Sequence, residues 1–176
     1  MKATDFHPPL LLRNPHVQSV LASSGLRAWI SRRRSGDIES TATEHVLDCG
    51  DGVRLQGFHT AQRAAPQSRG LVVLLHGWEG SARSNYVLNT GARLLREGFD
   101  VFRLNFRDHG ETHHLNPDIF HSCRIDEVVG AVGAVARKFA PPALAIGGLP
   151  STRRKLAKKL SLRPNGTPGS WRPSRP

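Results

Sequence analysis

This 176-residue sequence predicts an α/β protein, with a sheet that opens on an antiparallel hairpin and continues as parallel strands joined by helices. Three patterns predict it. The run Leu71 to Leu75, in G-L-V-V-L-L-H-G, is apolar without alternation, as expected of a strand covered on both faces. Val87, Gly91, Leu94 and Leu95 recur at i, i+4, i+7 and i+8, and Ile125, Val128, Val129, Val132, Ala136 and Phe139 form a second stripe, so two helices each present one apolar side. The runs D-V-F-R-L-N-F and Ala143 to Ile146 alternate with those helices, and strands joined through a helix run parallel.

Each element has a local justification. Residues 1–43 are irregular and cationic, and F-H-P-P-L-L-L-R-N-P-H-V-Q-S-V-L contains two proline breaks before a short helix around Val17 to Leu21. Arg32 to Arg34 fit an anion patch less well than a solvated loop beside a helix end. From Glu44, H-V-L-D-C-G-D-G-V-R-L-Q-G-F-H alternates on both sides of Asp51-Gly52, which predicts a β-hairpin. Gln62 to Arg69 is a polar linker. Gly98 suits the residue just past the first helix. Ser122 is the expected N-cap of the second helix and Pro141 its stop. Residues 44–146 thus make the folded domain.

Charge separates that body from the C-terminal stretch. The chain carries +11, yet residues 1–146 hold 17 Lys and Arg against 14 Asp and Glu, while residues 147–176 hold eight against none. Those last thirty residues also contain five prolines, four glycines and four serines, a composition expected to stay disordered because it cannot bury enough apolar surface. Two cysteines, Cys49 and Cys123, fit a reducing compartment, and no segment has the length of a signal peptide or membrane span. The expectation is a soluble cytoplasmic protein.

The chemistry should lie where the buried strand ends, at His76-Gly77-Trp78-Glu79-Gly80-Ser81. A tight turn at the carboxyl end of a central strand exposes backbone N–H groups into the crevice where α/β proteins bind ligands. Such donors stabilise an oxyanion, often by about 3 kcal/mol of barrier. A glycine turn after a strand is commonly only a turn. The H-G-x-x-G spacing after a fully apolar strand favours the functional reading, by parallel with the oxyanion loops of lipases.

Three segments together resemble the YheT-like branch of the α/β-hydrolase superfamily, whose members are carboxylic-ester hydrolases. They are the opening F-H-P-P-L-L-L-R-N-P-H-V-Q-S-V-L-A-S-S, the turn H-G-W-E-G-S, and G-F-D-V-F-R-L-N-F-R-D-H-G-E-T-H-H-L-N. The resemblance implies the N-terminal part of an α/β-hydrolase sheet, no cofactor, a small ester substrate (short-chain or lipid), and one oxyanion donor, the backbone N–H of Trp78 just after His76 and Gly77. It also implies a serine in a G-x-S-x-G elbow directly after the strand Ala143 to Ile146. The residues there are Gly147-Gly148-Leu149-Pro150-Ser151-Thr152-Arg153, so either count puts Pro150 or Leu149 at the nucleophile position. In this fold the acid and histidine follow the serine along the chain. No Asp, Glu or His follows Ser151. The expectation is a hydrolase domain that breaks off at its elbow, with a complete triad absent and a tail that reads like an out-of-frame continuation. Its last strand, left without a further neighbour, would expose an edge and promote self-association.

Other constellations point elsewhere less strongly. Asp108, His109, His113, His114, Asp118, His121 and Cys123 crowd one segment and include zinc-ligand types. His109 and His113 flank a glycine rather than a helical frame, so the segment fits a polar loop lining the crevice, and no metal is expected. The G-D-G of residues 50–52 opens no helix and makes no dinucleotide site. A nucleic-acid role rests on the basic tail alone, which would bind phosphate without sequence specificity. The alternative to an esterase is therefore a non-catalytic binding or regulatory body with an anion-binding tail.

Overall fold

The computed structural model describes residues 9–10, 13–22, 36–121 and 123–148. The chain divides into two units, residues 1–34 and 35–176. In the first, the predicted short helix is α1 (Pro15–Ala22). Asn14 precedes it and its Oδ1 accepts the His16 N–H at 2.9 Å, while Pro15 takes the first helical position, where a missing N–H costs nothing. Arg32 to Arg34, Ser122 and the tail from Leu149 onward lie outside the described residues.

The second unit is built on one mixed sheet. Strands β1 (Thr43–Asp48) and β2 (Arg54–Thr60) pair antiparallel, with Thr43 opposite His59 and Asp48 opposite Arg54. Their turn closes through Val53 N–H to Gly50 O at 3.0 Å, and Asp51 (φ 52°) and Gly52 (φ 74°) both lie in the left-handed region. That is a type I′ turn, whose twist matches the strands it joins and which Asp-Gly favours. Strands β3 (Leu71–Leu75), β4 (Asp100–Leu104) and β5 (Leu144–Gly147) complete the order β1-β2-β4-β3-β5. β2 and β4 are antiparallel, whereas β3 runs parallel to both β4 and β5. β5 starts one residue later than its apolar run predicts, with Ala143 leading in through its carbonyl to the Leu71 N–H at 2.8 Å.

Helices α2 (Asn85–Arg96) and α3 (Ile125–Phe139) cover opposite faces. Side chains alternate across a strand, so Leu71, Val73 and Leu75 join Phe102, Leu104 and the α3 residues Val128, Val129, Val132 and Val135 in one cluster. Val72, Leu74 and Val101 meet Val87 and Leu88 of α2 in the other, together with Ile38 from a 3-10 turn at Gly36–Ile38. All five β3 residues are buried, each side chain contributing about 1.5–3 kcal/mol by leaving water. This is the doubly covered strand that the unbroken apolar run predicts.

Of the three helix ends with a local signal in the sequence, two follow it. α2 stops in a Schellman arrangement, with Gly98 (φ 84°) donating to Leu95 O at 3.1 Å and Phe99 donating to Leu94 O at 3.0 Å. α3 ends at the left-handed Ala140 (φ 39°), just before Pro141. The start of α3 corrects the expectation. Arg124, not Ser122, holds the N-cap position and makes no side-chain cap bond. Its guanidinium instead reaches Asp118 Oδ2 and Glu127 Oε1, both at 3.1 Å, and Asp126 and Glu127 place negative charge on the helix's positive end. Among the described residues, no helix is long and apolar enough to cross a membrane.

Candidate active site

The carboxyl ends of β3, β4 and β5 lie on one side of the sheet, and the loops leaving them form the candidate site. β3 runs straight into His76, which is only 1% exposed. Its Nε2 lies 3.1 Å from the Phe106 N–H, which can only donate, so Nε2 is the unprotonated nitrogen. The proton sits on Nδ1, which donates to Gly77 O at 2.8 Å. His76 therefore ties the exit of β3 to the exit of β4 and fixes the next carbonyl. It is a positioning residue and not a base.

That carbonyl also accepts the Gly80 N–H at 3.1 Å, closing a turn over Gly77 to Gly80. Glu79, its third residue, has φ 54°, while Trp78 before it is not left-handed, the signature of a type II turn. Trp78 projects outward, 73% exposed, with its indole edge-on to Phe120 at 6.0 Å. Its N–H has no hydrogen-bond partner among the described residues. The Gly77 N–H donates to the hydroxyl of Tyr86, in the first turn of α2. Farther along, Ala82 N–H donates to Asn105 Oδ1 at 2.7 Å and Ala82 O accepts from Arg103 Nη1 at 3.0 Å. The turn is thus anchored at both ends, by His76 and by Ala82, and open in the middle.

The loop after β4 forms the facing wall. Asn105 is buried and donates through Nδ2 to Gln56 Oε1 at 2.7 Å. Arg107 is buried as well, with Nε 3.1 Å from both Glu127 oxygens and Nη2 2.9 Å from Oε1, so the loop is bolted to α3. His109 has its Nδ1 at 2.7 Å from Arg107 O, and its ring lies 4.8 Å from His76 and 4.8 Å edge-on to Phe120. Phe120 stacks on Phe106 at 5.6 Å. His113 contacts Asp108, while His114 and His121 face solvent. The loop meets the Trp78 turn through His109 and Phe120, and among the described residues no three potential ligands converge on a point where a metal would sit.

Burial pushes the His76 imidazole down to about 4; its bond to Gly77 opposes this and the charge of His109 adds to it. His45 and His59, packed around Phe139, are lowered too, chiefly by burial. Because the unfolded chain binds these protons near pH 6.5 and the fold does not, stability is present above about pH 6.5 and falls as the pH drops toward 4. Urea midpoints measured across that window should show the fall in the wild type and a shallower slope in His76→Asn. Equal slopes would count against a neutral buried His76.

The structure thus brings together Trp78, His76, Gly77 and His109, and separates His113 and His114 from them by pairing and exposure. Ser151, Pro150 and Leu149 lie outside the described residues, so the elbow positions are not located. β5 leads up to them closely packed: a Cβ on Gly147 would lie 2.8 Å from Leu74 Cδ2, and one on Gly148 would lie 3.1 Å from Leu75 Cβ. Sequence reading missed Tyr86, Asn105 and Arg103. Arg103 left a visible trace, a charge set between apolar residues in the interior of a strand.

No family model and no curated protein sequence matches this chain. Solved structures match its fold. A serine hydrolase without a lid from Xanthomonas campestris superposes with a TM-score of 0.56 at 18% identity, over 69% of this chain and 58% of that one. An esterase of Pyrococcus furiosus gives 0.50 at 20% identity, over 61% of this chain and 41% of its own. A Butyrivibrio proteoclasticus protein with ferulic acid bound gives 0.52 at 16% identity, over 66% and 48%. The chain spans about half the length of these structures. It has the fold of the N-terminal part of an α/β hydrolase.

Proposed function

We propose that this chain carries the carbonyl-binding side of a carboxylic-ester hydrolase site and, acting through these 176 residues, does not turn an ester over. The Trp78 N–H, without a hydrogen-bond partner among the described residues and set at the carboxyl end of β3 just after the buried His76, is the observation that carries the reading. In ester hydrolysis an oxygen nucleophile adds to the carbonyl carbon and the carbonyl oxygen becomes an anion. A fixed backbone donor aimed at that oxygen lowers the barrier without reorganising. The esterase and serine hydrolase among the fold's relatives support this assignment, and the YheT-like resemblance of residues 6–146 narrows it to small or lipid esters.

A donor alone breaks no bond. Some nucleophile must first create the anion, and it needs a base within hydrogen-bond reach. Residues 147–176 contain no G-x-S-x-G, Ser151, the nearest serine to the expected position, follows a proline, and residues 152–176 hold no Asp, Glu or His. His109 and His113 engage only Nδ1, with Arg107 O and Asp108, and among the described residues no hydroxyl is placed against the Nε2 of either. We therefore expect no turnover of short-chain p-nitrophenyl esters and no labelling by a fluorophosphonate probe. Labelling that vanishes in Ser151→Ala would overturn the inactive reading and make Ser151 a displaced nucleophile.

The eight cations and absent acids of residues 147–176 favour a second reading, a tail that holds anionic partners. Retention on DNA that weakens steeply with added salt, and disappears when the tail is removed, would support it.

A further inference from the structure

The Tyr86 hydroxyl stands next to the Trp78 turn in an unusual role. It accepts the Gly77 N–H, which uses a lone pair on the phenolic oxygen and leaves the hydroxyl hydrogen to point elsewhere. That hydrogen has no acceptor among the described residues, and the side chain is half exposed. Trp78, the very next residue, has the open N–H. Successive amide nitrogens lie roughly 3–3.7 Å apart along the chain, and the Tyr86 oxygen is 2.5 Å from the Gly77 nitrogen, so the Trp78 nitrogen lies within about 6 Å of it. One ligand oxygen spans that gap with two hydrogen bonds of about 2.8 Å each.

We propose that Tyr86 is a second donor of the oxyanion site, its O–H and the Trp78 N–H converging on one anionic oxygen. The inference rests on the reading of Trp78 as a carbonyl-oxygen donor and adds a side chain to it. Accepting from Gly77 also prepares the phenol for the task. A hydroxyl whose oxygen is already an acceptor is polarised toward donation. The same contact takes the Gly77 N–H out of contention as the second donor and puts the phenol beside the Trp78 N–H in its place. The site so built prefers a tetrahedral or carboxylate oxygen carrying charge over a neutral carbonyl, because hydrogen bonds to charged acceptors are about twice as strong.

The test uses the full chain and the O-ethyl methylphosphonate anion, a stable mimic of the tetrahedral intermediate. Tyr86 is the chain's single tyrosine, so its Cζ resonance in protein labelled with 13C-tyrosine reports on one hydroxyl. Binding is also followed in three variants. Trp78→Ala keeps the N–H. Trp78→Pro deletes it at a turn position that accepts proline. Tyr86→Phe deletes the hydroxyl. The expected result is a Cζ shift on binding, retention of binding in Trp78→Ala, its loss in Trp78→Pro, and about tenfold or greater weakening in Tyr86→Phe. If Trp78→Pro loses binding while Tyr86→Phe binds as the wild type and Cζ stays still, Tyr86 is not a donor and the Trp78 site stands. Weakening in Tyr86→Phe without a Cζ shift in the wild type assigns Tyr86 to holding the turn, and also overturns the proposal. If the wild type does not bind, or Trp78→Pro binds as well as Trp78→Ala, the Trp78 reading fails and Tyr86 falls with it.

Discussion

Gly130→Ala is expected to destabilise the protein by about 3 kcal/mol and lower its thermal midpoint by roughly 10 °C. Gly130 sits inside α3, where alanine would ordinarily gain about 1 kcal/mol of helix propensity. Here the sign is reversed by what lies opposite. A Cβ at this position would stand 1.9 Å from Cys49 O, 2.7 Å from Cys49 C and 3.0 Å from Cys49 Cα. These are backbone atoms and cannot rotate aside. Cys49 is also held in the hairpin by its N–H to Val53 O at 2.9 Å, so it cannot retreat without opening the type I′ turn. The helix must lift off β1 and β2, and Val128, Val129 and Val132 lose their packing with it. Gly133→Ala, one turn on, is the control: its Cβ would meet only Arg137 Nη1, at 3.3 Å, the movable end of a long side chain. That variant should match or slightly exceed wild-type stability. Equal unfolding midpoints for the two variants would refute the close approach of α3 to the hairpin.

Glu127→Gln should cost a similar amount, about 3 kcal/mol, because it leaves a buried guanidinium without its main counter-charge. The Arg107 side chain is 5% exposed and the Glu127 side chain 11%, and Arg124 adds a second cation to the same carboxylate at 3.1 Å. After substitution, Arg107 retains only Asp118 at 4.0 Å, on a side chain 65% exposed to water. The glutamine has the right shape, so the loss measures charge rather than a cavity. Asp118→Asn, at the wet end of the network, should change stability by less than about 1 kcal/mol. Chemical unfolding of the two single variants and of Arg107→Met with Glu127→Leu tests the account. The double change removes both charges and should recover much of the loss in Glu127→Gln. A double variant less stable than Glu127→Gln would argue that the ion pair stabilises the fold outright.

The elements that could be read from the chain are those whose cause is local. The unbroken run Leu71 to Leu75 can satisfy its apolar side chains only between two layers, and it lies between α2 and α3. Asp51-Gly52 tolerates two left-handed residues in succession, and the hairpin turns there. Gly98 ends α2 for the same conformational reason. The start of α3 was not readable, because Ser122 has a good capping side chain but the charges of Arg107, Asp118 and Glu127 meet only after the β4 loop folds back onto the helix. Gly130 carries no sign in the sequence of the carbonyl that presses against it from a residue 81 positions earlier.

The site divides along the same line. H-G-W-E-G marks where a turn must come after the buried strand, since periodicity and glycine spacing are properties of neighbouring residues. Whether His76 is a base or a brace depends on the Phe106 N–H, thirty positions away, which takes its Nε2 and leaves it neutral. The openness of the Trp78 N–H and the engagement of Tyr86 with Gly77 likewise depend on which groups the sheet brings within about 3 Å. Hydrogen-bond partners and burial are set by elements distant in sequence, and the chemistry of a polar group is decided by them.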